Sequence, residues 1–201
     1  MNPLTDFPID YVDAVGAATP DDLAALTEFL LDELPYRWID AYYEMSKHEP
    51  NVLEVPDRGF TFLFDLACEV HPANDPSSPH DRVVAAYGIS KASQAKRDAS
   101  RMRGFGAKGT LSRRGLDKGH LMAHSMGGSL DINLIPQRAE VNRGRSPEGK
   151  RFREMERYAA AHPGTFVFCR PIYGDETWVP HALEYGVLLP EARLWVERFP
   201  N

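Results

Sequence analysis

The 201-residue chain predicts an α+β fold, a mainly antiparallel sheet preceded by a small helical N-terminal segment. Three observations carry this. Phe60, Phe62, Phe64, Leu66, Cys68 and Val70 alternate with Thr61, Leu63, Asp65, Ala67 and Glu69, the period of two that a strand requires. Arg82 to Ser90 reads as an antiparallel return strand, separated from the first by a loop, His71 to His80, with three prolines. Leu23, Leu26, Leu30, Leu31 and Leu34 recur instead at helical spacing.

The helical segment is expected to begin at Thr19-Pro20-Asp21-Asp22, which offers an N-cap, a proline at the first helical position and acids in the first turn. Pro35 is expected to stop that helix, with a second piece from about Tyr36 to Lys47. Residues 1–56 are thus read as a helical N-terminal segment packed on a core domain of residues 57–201. Beyond the middle of the chain, Thr165 to Tyr173 and Trp178 to Leu189 read as closing strands, and Pro190 to Pro200 as holding a short terminal helix.

No apolar run approaches 18 residues, so no membrane-spanning helix and no membrane partner are expected. The opening MNPLTDFPID has neither a basic nor an apolar leader region, so a cleaved secretory signal is not expected and the chain is read as cytoplasmic when made. Cys68 and Cys169 lack CxxC spacing and read as buried thiols, with one disulfide as the alternative.

The net charge of −6 argues at first against a polyanionic substrate, but its distribution reverses the argument. Residues 91–157 hold 16 Lys and Arg against 7 Asp and Glu, a net +9, and the remainder carries −15. A basic middle in an acidic chain is the electrostatic footprint of a phosphate-binding face. Within it, Lys91 to Arg114 is rich in Gly, Ser and Arg and runs straight into the motif below. Arg101, Arg103, Arg113 and Arg114 are candidates for phosphate contacts, because guanidinium forks match phosphate oxygens.

The stretch DKGHLMAHSMGGSLDINLIPQRAEVN, Asp117 to Asn142, carries the chemistry. Phosphodiester cleavage needs a base for water and a cation over the phosphate. Neutral imidazole, with an ordinary pKa of roughly 6.5, lets His120 take a proton from water near neutral pH. Hard Mg²⁺ prefers oxygen ligands and keeps most of its waters, so the single amide oxygen of Asn142 with substrate phosphates suffices to hold it. Gly119 reads as permitting an unusual backbone angle or a close phosphate approach. Lys118 and Arg143 are further cations for substrate, and Asp117 a structural support. His124 is open between a metal ligand and a polar loop residue. His181 and Arg170 read as surface or structural.

DKGH followed by NLIPQRAEVNRG resembles, in order and over about 40 residues, the DNA/RNA non-specific endonucleases of the ββα-metal (His-Me finger) superfamily. That resemblance implies a ββα-metal finger embedded in the antiparallel sheet, and cleavage of DNA, RNA or both with low sequence specificity. It implies His120 as general base and Asn142 as sole protein ligand of Mg²⁺, with Mn²⁺ as a substitute. It implies an upstream Arg that steadies the transition state, assigned to Arg103. Asn133 and Gln137 stand where the family has its own Asn and Gln, and are expected to brace the loop through side-chain hydrogen bonds.

Two departures stand out. Lys118 replaces the usual Arg. The Glu that follows the ligand Asn is displaced to 14 residues, with Arg145 to Lys150 apparently inserted and a helix restarting at Ser146-Pro147. Phe152-Arg-Glu-Met-Glu156 then matches Trp-x-x-x-Glu with Phe for Trp, so Glu156 either pairs with an Arg or binds a metal-held water. These departures keep two rivals open, an RNA-specific toxin nuclease on the same scaffold and a catalytically degenerate nucleic-acid-binding module. A nuclease without a signal endangers its maker, so a bacterial toxin or effector is expected, exported by a signal-independent route and held by an acidic inhibitor or immunity protein that suits the basic face.

Overall fold

A computed structural model describes residues 8–17, 22–67, 80–92, 111 and 114–201. Helices α1 (Tyr11–Ala17) and α2 (Leu23–Met45) precede strands β1 (Val52–Asp57), β2 (Phe60–Asp65) and β3 (Arg82–Ile89). A ribbon of β4 (Leu116–His120) and β5 (Leu134–Arg138) runs into helices α3 (Ala139–Asn142) and α4 (Pro147–Ala161). Strands β6 (Phe166–Ile172), β7 (Ala182–Leu189) and β8 (Arg193–Pro200) close the chain. The sheet has the order β1-β2-β3-β6-β7-β8, every pairing antiparallel, and β4-β5 forms a separate two-stranded ribbon.

Strand alternation splits the core in two. Phe60, Phe62, Val167, Cys169, Tyr185, Val187 and Phe199 face the ribbon and α4, meeting Leu121, Met122, Ile135, Val141, Phe152 and Met155. Leu63, Val84, Tyr87, Phe166, Phe168 and Leu188 face the other way, onto Leu26, Leu30, Leu34, Trp38 and Tyr42 of α2. The acidic N-terminal layer therefore covers the sheet face opposite the finger.

The expected break at Pro35 does not occur. Pro35 sits inside one continuous 23-residue helix that begins at Asp22, whose carboxylate accepts from Ala25 N at 2.7 Å. An interior proline costs about 3 kcal/mol. Burying Leu26, Leu30, Leu34 and Trp38, at about 1.5–3 kcal/mol each for such side chains, outweighs that cost, and Pro35 is itself buried on the same face. Thr19, Pro20 and Asp21 lie outside the described residues.

Three other expectations are corrected. Residues 1–56 are not all helical, because β1 joins the sheet edge in full register with β2. The strand from Phe60 ends at Asp65, and Cys68 to Val70 fall outside the described residues. Residues 193–200 form a strand, all eight paired with β7, rather than a terminal helix. Trp195 and Phe199 lie toward one core, and Leu194 and Val196 pack on the other, the period of a strand covered on both faces.

Two buried polar networks fasten the helical layer to the sheet. Fully buried Asp65 accepts from Tyr42 Oη at 2.6 Å and Asn51 N at 2.8 Å, and lies 2.6 Å from His48 Nε2. The other ring nitrogen of His48 is 2.7 Å from Glu176, and Arg82 Nε donates to Tyr42 Oη at 2.7 Å. Arg170 pairs with Glu184 at 2.8 Å, and Glu184 also accepts from Tyr11 Oη at 2.7 Å, so Arg170 is structural. Cys169 is a buried thiol whose pKa is pushed up by burial.

Candidate active site

The site is built on the ribbon. β4 and β5 pair with Asp117 opposite Gln137, Gly119 opposite Ile135 and His120 opposite Leu134. α3 follows β5 without a break, and its last residue is Asn142. The ββα arrangement expected of residues 117–142 is therefore present, although Leu121 and Met122 lie beyond the end of the first strand. Alternation along β4 sends Lys118 and His120 to one side and Asp117 and Gly119 to the other.

Asn142 Nδ2 donates to Asp117 Oδ2 at 3.2 Å. Arg143 grips the same carboxylate with both arms, Nε to Oδ2 at 2.6 Å and Nη2 to Oδ1 at 2.5 Å. Partial burial would raise the Asp117 carboxyl, but the hydrogen bonds from Arg143 and Asn142 and the charges of Arg143 and Arg145 outweigh it and hold the group low. Arg143, expected at the substrate, thus spends its fork on Asp117. The amide of Asn142 is oriented by the same contact, which commits Nδ2 to Asp117.

Asn133 is fully buried and braces the loop after His120. Its Oδ1 accepts from Met122 N at 2.7 Å, and its Nδ2 donates to Met122 O and Ser129 O, each at 2.8 Å. Gln137 does not brace in this way. It is fully buried, yet neither amide atom makes a hydrogen bond. Its side chain instead fills the space beside Gly119, where an added Cβ would come 2.5 Å from Gln137 Cβ. Gly119 has no left-handed φ. The unusual backbone angle expected at Gly119 is thus absent, and its close neighbour is the Gln137 side chain.

His120 is half-buried at the end of β4, with its Nε2 turned inward. His124 opens a short 3-10 turn, His124–Met126. The predicted restart of a helix at Ser146 is found: its hydroxyl accepts from Gly149 N at 3.0 Å, with Pro147 at the first position. Phe152, Met155 and Ala159 form the inward stripe of α4. Glu156 is half-buried beside that stripe, and its charge adds to burial in pushing up Cys169 and Tyr185, which locates it against β6 and β7.

The structure brings Asp117, Asn142 and Arg143 into contact, while His120 lies three residues further along β4, on the other side of that strand. Arg114 is exposed; burial would raise the Asp175 carboxyl, but the Thr177 hydrogen bonds and the charges of Arg82 and Arg114 hold it low. Lys118 is half-buried. Arg101, Arg103 and Arg113 lie outside the described residues. What sequence reasoning missed is the triangle itself and Arg153, whose Nη2 donates to Asn142 O at 3.2 Å. The basic residues after Asn142 were the signal for it, lost because the inserted turn obscures their spacing from the motif.

Among the described residues no group of three or more His, Cys, Asp or Glu side chains is gathered to hold a metal ion. The donor available beside Asp117 is an amide oxygen, of the kind that fits a hard cation that keeps its waters rather than the N/S set that zinc takes in closed sites.

The sequence model of the family described as DNA/RNA non-specific endonuclease matches residues 78–186, more than half of the chain. Comparison with curated proteins finds no match. Among solved structures, one described as "Structure of Sda1 nuclease with bound zinc ion" is similar at 14% identity and a TM-score of 0.42, over 77% of this chain and 85% of that one. By its sequence over β3, the ribbon, α3, α4, β6 and part of β7, the chain belongs to the DNA/RNA non-specific endonuclease family.

Proposed function

We propose that this endonuclease hydrolyses phosphodiester bonds of both DNA and RNA, with little sequence preference, in a reaction that depends on Mg²⁺, with Mn²⁺ able to substitute. The observation that carries the reading is the Asp117–Asn142 hydrogen bond, which engages the amide nitrogen and so assigns the amide oxygen to the cation, on the ribbon that bears His120. Asn142 Oδ1 would hold the cation, and a cation there supplies Lewis-acid stabilisation of charge on the phosphate.

His120 acts as general base and takes a proton from water. The water oxygen forms a bond to phosphorus, the bond from phosphorus to the leaving sugar oxygen breaks, and that oxygen takes up a proton. Asp117 and Arg143 hold Asn142 in place. Glu156 and Arg103 are assigned to the water network and to the transition-state charge. Lys118, Arg101, Arg113 and Arg114 contact phosphates, which position a strand without reading its bases.

The cost to a cell of an unrestrained nuclease supports a bacterial toxin or effector held by an acidic inhibitor. Expression that proved harmless with no inhibitor present would argue against that role. The activity itself is tested by incubating the chain with plasmid DNA and with structured and single-stranded RNA, in Mg²⁺, Mn²⁺ or EDTA. Cleavage of both polymers in either metal and none in EDTA is expected. Cleavage of RNA alone would replace this reading with an RNA-specific nuclease, and binding without cleavage would leave a nucleic-acid-binding module.

A further inference from the structure

Lys150, Arg153 and Arg157 recur along α4 at i, i+3 and i+7, so they share one stripe of its exposed surface. Among the described residues none of the three is ion-paired with a carboxylate. The neighbouring arginines behave differently. Arg138 holds Glu140, Arg143 holds Asp117, and Arg151 holds Glu154 and Glu197. Glu154, a carboxylate beside the stripe, is thereby already engaged.

Like charges at i and i+4, as at Arg153 and Arg157, weaken a helix. Among the described residues no carboxylate is ion-paired with the stripe to offset that repulsion.

The stripe meets the proposed site at Arg153. Arg153 Nη2 donates to Asn142 O at 3.2 Å, and Arg157 Nε donates to Arg153 O at 3.1 Å. Gly144, at φ 64°, makes room for this contact, since a Cβ there would come 2.6 Å from Arg153 Cδ. A shallow concavity of about 480 Å³ opens beside Pro147, Lys150, Arg151, Glu154 and Arg157. At roughly 1.5 Å of rise per residue, Lys150 to Arg157 extends about 10 Å. That is long enough to meet more than one phosphate of a strand, whose repeat along a duplex axis is about 3.4 Å.

We infer that Lys150, Arg153 and Arg157 form a phosphate track that carries the substrate strand away from Asn142. Each guanidinium retains N–H groups for phosphate oxygens, and none is placed to read a base. The inference rests on the nuclease reading above for its ligand, the nucleic-acid backbone.

The test is metal-free binding. A fluorescent 20-nucleotide single-stranded DNA is titrated in EDTA at several salt concentrations, with inorganic phosphate and anionic phospholipid vesicles as separate ligands. For the double variant Lys150→Ala with Arg157→Ala, the slope of log K against log salt should flatten by about 1.4, roughly 0.7 for each lost contact. The charge-keeping pair Lys150→Arg with Arg157→Lys should retain the slope, and Arg193→Ala, which breaks the Glu191 pair on β8, should leave it unaltered. An unchanged slope in the double variant, an equal loss in Arg193→Ala, or tighter binding of vesicles than of DNA would overturn the track. Salt-linked binding by a chain that never cuts would retain the track and remove the nuclease reading. Cutting with an unaltered slope would do the reverse.

Discussion

The side-chain amide of Asn142 donates to Asp117 at 3.2 Å while Arg143 clamps both oxygens of the same carboxylate. One buried-side acceptor thus orients the residue proposed to bind the cation, so Asp117 acts on the site through Asn142.

Asp117→Ala removes the acceptor for both neighbours and frees the amide to rotate. Losing such an orienting partner typically costs about 10–100-fold in metal affinity or activity. The Mg²⁺ concentration for half-maximal cleavage should rise by about that factor, with the circular dichroism spectrum retained. An unchanged Mg²⁺ dependence would show that Asn142 needs no such support.

The same carboxylate gives a pH signature. Its folded pKa is held below the ordinary value of about 3.9, so its contribution to stability is fully present above that value. That contribution is lost as pH falls through the lower, folded pKa. The difference in melting temperature between the parent chain and Asp117→Asn should therefore be constant from neutral pH to about 5 and shrink below about 4. A difference that instead grew on acidification would reverse the sign of this account.

Asp65 lies fully buried among Tyr42, His48 and Asn51, far in sequence from the finger. Removing one member of a buried charged cluster leaves the others uncompensated, at about 3–5 kcal/mol. Asp65→Ala should lower urea-unfolding stability by that amount, and a loss near zero would mean that water replaces the carboxylate.

Gly119→Ala would drive a methyl group against Gln137 Cβ, 2.5 Å from the new atom. Overpacking of this kind costs about 1–3 kcal/mol. The midpoint of urea unfolding should fall accordingly. A variant as stable as the parent would show that β5 shifts freely, and that the pairing of Gly119 with Ile135 is not rigid.

Much of this was legible in the sequence, for reasons that differ by element. β2, β3 and β6 declared themselves by alternation or by unbroken apolar runs, and the finger by the order of Asp117, His120, Asn133, Gln137 and Asn142. Continuity of α2 through Pro35 was not legible, because the packing of Trp38 and Tyr42 on the sheet decides it and no local rule reports that packing. β8 was misread because Pro190 and the acidic Glu191 mimic a helix start, whereas pairing with β7 fixes the strand. The roles of Arg143 and Gln137 depend on which neighbour the folded ribbon brings alongside. The resemblance implied a hydrogen-bonding Gln137, and Arg143 was expected at the substrate; in the fold Arg143 holds Asp117 and Gln137 flanks Gly119.

The central claim is that an imidazole on β4 and an amide oxygen at the end of α3 act together on one phosphate. Its most direct measurement is the single-turnover cleavage rate of a labelled oligonucleotide in saturating Mg²⁺ for His120→Ala, Asn142→Ala and the double variant. Loss of a positioned base costs about 10²–10⁴-fold. Each single variant should fall by that order with its melting temperature kept, and the double variant should fall by less than the product of the two. Cleavage at the parental rate in either single variant, or strict multiplicativity in the double, would contradict a shared site.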